Sequence, residues 1–336
     1  MPAQQNNLTC NTTCIYGESR TGKTREIGSI ARYVFQKTGK LTRLIFLDGG
    51  GFEVIQPEID AGLIIPLRLT GHGDVGNWLH ALSQGYWPKD NTLQGGLVKF
   101  SDHPQAVEIG CYAIEGISAI CQEYLQWLVQ KGIKVNSDVV GKQKIKPGES
   151  NQDAALDINL GAASEGHYGI VGQEVFRLIR NFQKLAEVGI QDLIWTSLEA
   201  GGEEKIAGMR RSVIGVGAIG KAITPMLPAK FGDLFHFERD VDAKGRIEYR
   251  CYFQSHEDKE LGGRTWPASM RLSPQASDAL SKDPAFSKGY LVLTDEDGSP
   301  AREGIARILK WRDGQKASAV EALKEMMASR RVATNA

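Results

Sequence analysis

The chain has 336 residues, 41% hydrophobic and 24% charged, with Lys+Arg 40 balanced by Asp+Glu 40. This composition excludes a disordered or fibrous chain and suits one large domain or two moderate ones. The net charge of zero supplies no global field toward nucleic acid or an acidic membrane, so any such contact must come from a local patch. Five cysteines without a CxxC pair predict neither a disulfide framework nor a zinc site. The N-terminus lacks the basic and apolar regions of a secretion signal. No stretch approaches the ~20 apolar residues of a bilayer span, so a cytoplasmic protein without membrane contact is expected.

Leu8 to Tyr16 reads as a strand running into a glycine loop, Gly17 to Gly22. A helix follows, with Ile27, Ile30, Ala31, Val34 and Phe35 on one face and Thr38-Gly39 at its end. Leu44 to Leu47 is a short apolar run closing on Asp48, as in a strand covered on both faces of a parallel sheet. Leu63 to Leu69 predicts another strand and Trp78 to Leu82 a short helix. Val107 to Ile114 is a third apolar run, ending at Glu115. Ile117, Ile120, Cys121, Tyr124, Leu125 and Leu128 then give a helical face.

The stretch 132–167 is lysine-rich and then acidic and glycine-rich, which predicts a long mobile loop. Helical spacing returns from Tyr168 to Leu185, a strand follows at Asp192 to Thr196, and 200–220 reads as a second glycine-rich mobile loop. From Leu234 to Phe253 the period becomes two, with a turn at Asp242 to Gly245, which predicts a hairpin extending the sheet. The division is one domain over 1–275 and a small C-terminal appendage over 276–336. Six histidines without HxxxH or HxH spacing predict no histidine-ligated metal site.

One motif carries specific chemistry. Gly17-Glu18-Ser19-Arg20-Thr21-Gly22-Lys23-Thr24 is a complete phosphate-binding loop between a predicted strand and a predicted helix. Its glycines let backbone N–H groups wrap an anion, Lys23 neutralises β/γ-phosphate charge, and the Thr24 hydroxyl is a Mg²⁺ ligand at a helix N-terminus. The implied ligands are ATP and Mg²⁺. Such a loop works with a carboxylate at the end of another strand, and two residues qualify. Glu115 is the preferred one and Asp48 the second.

The order of these segments resembles the RecA-like P-loop ATPase core. It covers the strand with its phosphate loop, the strand ending at Asp48, the strand ending Tyr112-Ala113-Ile114-Glu115, the strand Leu193 to Ser197 and the terminal hairpin. More closely it resembles phage-encoded RecA-related ATPases of the AAA or single-strand-annealing type, over about residues 8–270. The resemblance implies an α/β fold, a mainly parallel sheet with helices on both faces extended by an antiparallel hairpin. It implies ATP hydrolysis, action on single-stranded DNA in recombination or annealing, a ring or filament of like subunits, and the cytoplasm of a host cell. It puts Glu115 where an aspartate is usual. The catalytic glutamate of the family falls at Gly50, leaving Glu53 as its substitute, and the glutamine or histidine expected after Ser197 is Leu198.

It also implies a basic residue reaching the γ-phosphate of a neighbouring subunit, for which Lys221 and Arg264 are the candidates. The DNA path would be lined by the two glycine-rich stretches through Lys142, Lys144 and Lys146 and through Arg210 and Arg211. The alternative function is a nucleotide-binding switch or structural assembly component with little turnover.

Overall fold

The computed structural model describes residues 11–47, 51–88, 96–99, 108–131, 165–184, 192–206, 209–218, 226–258 and 264–295, with 299, 301, 303–315, 317, 318, 321 and 324. Its strands are β1 (Asn11–Gly17), β2 (Leu41–Leu47), β3 (Ile64–Leu69), β4 (Tyr86–Pro88), β5 (Leu97–Lys99), β6 (Ile109–Ile114), β7 (Asp192–Ile206), β8 (Met209–Val216), β9 (Asp233–Val241), β10 (Ile247–Tyr252), β11 (His256–Asp258), β12 (Arg264–Trp266) and β13 (Tyr290–Val292). The helices are α1 (Lys23–Thr38), α2 (Gln56–Asp60), α3 (Gly71–Ser83), α4 (Ile117–Gln130), α5 (Glu165–Lys184) and α6 (Pro274–Lys282).

The central sheet runs β3-β2-β6-β7-β1-β9-β10-β13. Pairing is parallel from β3 through β9 and antiparallel at β9–β10 and β10–β13. The molecule is therefore an α/β protein with a mostly parallel mixed sheet.

Both faces of this sheet are covered, and the strands alternate between them. Cys14, Tyr16, Tyr112, Ile114, Leu193, Trp195 and Leu234 belong to the core on one face, under α3, α4 and α5. Ile15, Cys111, Ala113, Ile194, Phe235 and Phe237 belong to the core on the other, under α1. This period of two with apolar residues on both sides explains why these strands read as continuous hydrophobic runs. The helices answer with period 3.6: Ile27, Ile30, Ala31 and Val34 on α1, and Ile117, Ile120, Cys121, Tyr124 and Leu128 on α4, are all buried. α1 ends where Gly39, at φ 68, caps it through its N–H to Phe35 O at 2.8 Å.

The structure corrects the reading of 200–220 over its described part. β7 continues past Thr196 to Ile206 and turns back as β8 in antiparallel register, with Gly201 opposite Ile214 and Gly202 opposite Val213. Cross-strand hydrogen bonding overrides the turn signal of the glycines, and β8 is further joined by β12 and β11. The predicted helix at 78–82 is likewise longer, starting at Gly71.

Residues beyond 275 share the α1-side core. Leu280, Phe286, Leu291, Ile305, Ile308 and Leu309 pack there, and residues 306–315 are helical. At the end of the sheet opposite the loop after β1, buried Arg312 pairs with Asp233 and lies 4.0 Å from Asp192 Oδ1, itself held by Asn11 Nδ2 at 3.0 Å. Burial works against the Arg312 charge, but Asp233, Asp192 and Asp313 outweigh it and raise its affinity for the proton.

Candidate nucleotide-binding site

β1 delivers the chain to Gly17 at the carboxyl end of the parallel sheet, the end at which α/β sheets bind ligands. A Cβ on Gly17 would lie 2.1 Å from the carbonyl oxygen of Phe237 on β9, so only glycine lets the loop leave between its neighbours. The loop closes at Gly22, whose φ of 91 turns the chain into α1. The first helical residues are Lys23 and Thr24, at the positive end of the helix dipole.

Lys23 folds back into the loop. Its Nζ donates to Gly17 O at 3.0 Å, to Glu18 O, and to Thr21 Oγ1 at 3.3 Å, while Thr21 Oγ1 donates to Glu18 O at 3.0 Å. The ammonium thus sits in a ring of loop oxygens, and Lys23 as a whole is 9% exposed. Burial pushes its pKa down from 10.5 to about 8, against the charges of Glu115, Glu199 and Glu18. Glu18, Ser19 and Arg20 are exposed on the outside of the loop, Arg20 with a positive φ of 65.

Glu115 follows the last residue of β6, two strands away from β1 with β7 between. Its backbone N–H is anchored on Ile45 O at 2.9 Å, and the next residue, Gly116, donates to Thr196 Oγ1 at 2.8 Å. So fixed, Glu115 Oε1 accepts the Thr24 hydroxyl at 2.6 Å, across 91 residues of sequence. Behind it, Ser118 and Ser197 hydroxyls stand 3.0 Å apart and both donate to Gly217 O, at 2.6 and 2.7 Å. This buried network ties α4, β7 and the residue after β8 together below the site.

The other expected residues are not all gathered here. Glu53 is exposed in a 3-10 turn at Phe52–Ile55, Leu198 is 46% exposed, and Arg264 is exposed on β12. Arg210 and Arg211 lie on β8, in the hairpin rather than a loop. Asp48, Lys142, Lys144, Lys146 and Lys221 lie outside the described residues. Two residues that the sequence reading passed over do reach the site. Glu199, two positions past Ser197, follows the pairing of Leu198 with Gly17 and adds its charge to the field at Lys23. His236, on β9, meets the Glu199 carboxylate at 3.2 Å. Their only sequence signal is a place in period-two strands near the loop's strand partners.

A cavity of about 240 Å³ lined by Arg32, Tyr33, Glu303 and Lys310 lies along the flank of α1 and away from the phosphate loop. No helix of the described residues is long and apolar enough to cross a membrane. Neither a protein-family model nor a curated protein sequence matches this chain.

Proposed function

We propose that this protein binds ATP with Mg²⁺ through Gly17 to Thr24 and hydrolyses it, as a RecA-like P-loop ATPase that works on single-stranded DNA as an oligomer. The observation that carries the reading is the 2.6 Å contact of Thr24 Oγ1 with Glu115 Oε1 beside the Lys23 ammonium. A local sequence motif accounts for the loop, but not for a carboxylate brought to its threonine from a strand two positions away. A parallel sheet with the loop at its carboxyl end supports the same reading.

The hydroxyl of Thr24 and the carboxylate of Glu115 are the hard oxygen donors that Mg²⁺ prefers, so these residues would hold it. The metal would neutralise charge on the β- and γ-phosphates. An incoming phosphate replaces Gly17 O and Glu18 O as the partner of Lys23, exchanging neutral acceptors for a charged one. The backbone N–H groups opening α1 complete the anion site.

A second reading, a nucleotide switch with little turnover, is favoured by Leu198 at the position where the resemblance expects a polar side chain and by the exposed Glu53. Titration calorimetry and a turnover assay with and without a single-stranded oligonucleotide separate the two. MgATP binds the wild type, and Lys23→Ala weakens it more than about tenfold. Glu115→Gln keeps binding and loses at least about tenfold in hydrolysis. Equal affinity in Lys23→Ala refutes nucleotide binding at this loop. Binding without turnover, in the presence or absence of DNA, selects the switch.

A further inference from the structure

We infer that Glu199 is the carboxylate that activates the attacking water in this site, and that His236, held in turn by His256, is the positioning residue that sets its orientation. The inference rests on the ATPase reading above and assigns a role for which the sequence offered Glu115 and, in place of the glutamate missing at Gly50, Glu53.

Glu115 and Glu199 are differently engaged. Glu115 is bound to Thr24, on the metal side. Glu199 is on β7, and the β1–β7 register ends with Leu198 opposite Gly17, so Glu199 stands where β1 passes into the phosphate loop. Its side chain is 19% exposed, open enough to meet a ligand, and its charge reaches the buried Lys23 ammonium. Its orientation is set from below. Glu199 Oε2 lies 3.2 Å from His236 Nε2, and His236 Nδ1 lies 2.8 Å from His256 Nε2.

A carboxylate can only accept, which fixes the proton of neutral His236 on Nε2. Nδ1 is then the acceptor of the His256 Nε2–H. The His236 ring is 2% exposed and packed against Tyr16 with centroids 5.0 Å apart and Trp266 at 5.8 Å. The His256 ring is stacked between Tyr252 at 3.8 Å and Trp266 at 5.3 Å. A buried imidazole backed by a half-buried one, with both rings clamped, holds Glu199 Oε2 in place, and Oε1 is the oxygen assigned to the water. Its members come from β7, β9 and β11, so the chain also joins the nucleotide site to the ribbon of β8, β12 and β11, in which β12 runs parallel to β8 and antiparallel to β11.

In the step assigned here, the water donates a hydrogen bond to Glu199 and its oxygen bonds to the γ-phosphorus. The bond from that phosphorus to the β–γ bridging oxygen breaks, and its electron pair leaves with ADP. The water's proton passes to Glu199 and then to the released phosphate.

The test uses Glu199→Gln, His236→Phe and His236→Gln in the full chain, with MgATP as ligand. Glu199→Gln should bind MgATP within about twofold of wild type, lose at least about tenfold in kcat, and carry unhydrolysed ATP when bound nucleotide is extracted. His236→Phe should lower kcat by about tenfold at unchanged Kd. His236→Gln, whose amide can still donate to Glu199, should recover most of the rate. Adding His236→Phe to Glu199→Gln should slow turnover no further, because the imidazole acts only through the carboxylate. Wild-type turnover in Glu199→Gln, or additive losses in the double variant, overturns the inference while MgATP binding and turnover by the wild type keep the ATPase reading intact. A wild type that binds ATP without turning it over overturns the inference together with the hydrolytic reading and selects the nucleotide switch. A wild type that binds no ATP overturns both.

Discussion

On the proposed nucleotide binding, Lys23 should make MgATP affinity depend on pH in a window that the loop geometry sets. Lys23 is 9% exposed, its ammonium lies among loop carbonyls, and burial lowers its pKa from 10.5 to about 8. That difference corresponds to about 3 kcal/mol by which the ligand-free loop disfavours the charged form. Phosphate needs the ammonium, so as pH rises above about 8 the competent population falls and the Kd for MgATP should weaken by up to about tenfold per pH unit. Calorimetry at pH 7 to 9.5, at constant ionic strength and free Mg²⁺, measures this directly. A Kd that stays flat through pH 9.5 refutes the reasoning.

The same lysine has a stability signature. With the folded pKa depressed, native Lys23 releases its proton near pH 8 while the unfolded chain keeps it to about 10.5. The unfolded state therefore binds more protons in that window. The penalty is full below pH 8 and disappears as pH rises through the window. Ligand-free wild type should gain stability relative to Lys23→Met between pH 8 and 10.5, by as much as about 3 kcal/mol in chemical unfolding.

Gly17→Ala should weaken MgATP at least about tenfold and destabilise the fold by about 2 kcal/mol or more, because its Cβ would lie 2.1 Å from Phe237 O; affinity and melting at wild-type values would contradict the close approach. Arg312→Met leaves Asp233 and Asp192 buried without their cation, so urea unfolding should show a loss of about 3–5 kcal/mol, and a loss below about 1 kcal/mol would mean that the pair is dispensable. Changing Lys142, Lys144 and Lys146 together to Ala should lower single-stranded DNA affinity and flatten its salt dependence at unchanged MgATP affinity. Unchanged DNA binding would remove these lysines from the DNA path.

The loop Gly17 to Thr24 was legible as a strand-to-helix connection because its signals are local. Eight consecutive residues supply the glycines, the lysine and the threonine, and the strand before and helix after follow from short-range periodicity. The strands β1, β2, β3 and β6, the α1 stop at Gly39 and the hairpin of β9 and β10 were readable for the same reason. Apolar spacing and turn residues act within a few positions. Glu115 was a candidate from the sequence, as an acid after an apolar run, but nothing along the chain measures its distance to Thr24. That 2.6 Å contact depends on β7, which begins at Asp192, far along the chain, inserting between β6 and β1.

Long-range pairing also made strand out of 200–206, where glycines had argued for a loop, since ladder hydrogen bonds across to β8 outweigh local propensity. The chain Glu199–His236–His256 lay beyond sequence reasoning altogether. Its three residues sit on three strands in positions without motif spacing, and only the parallel register of β7, β1 and β9, with the ribbon folded over them, brings their side chains into line.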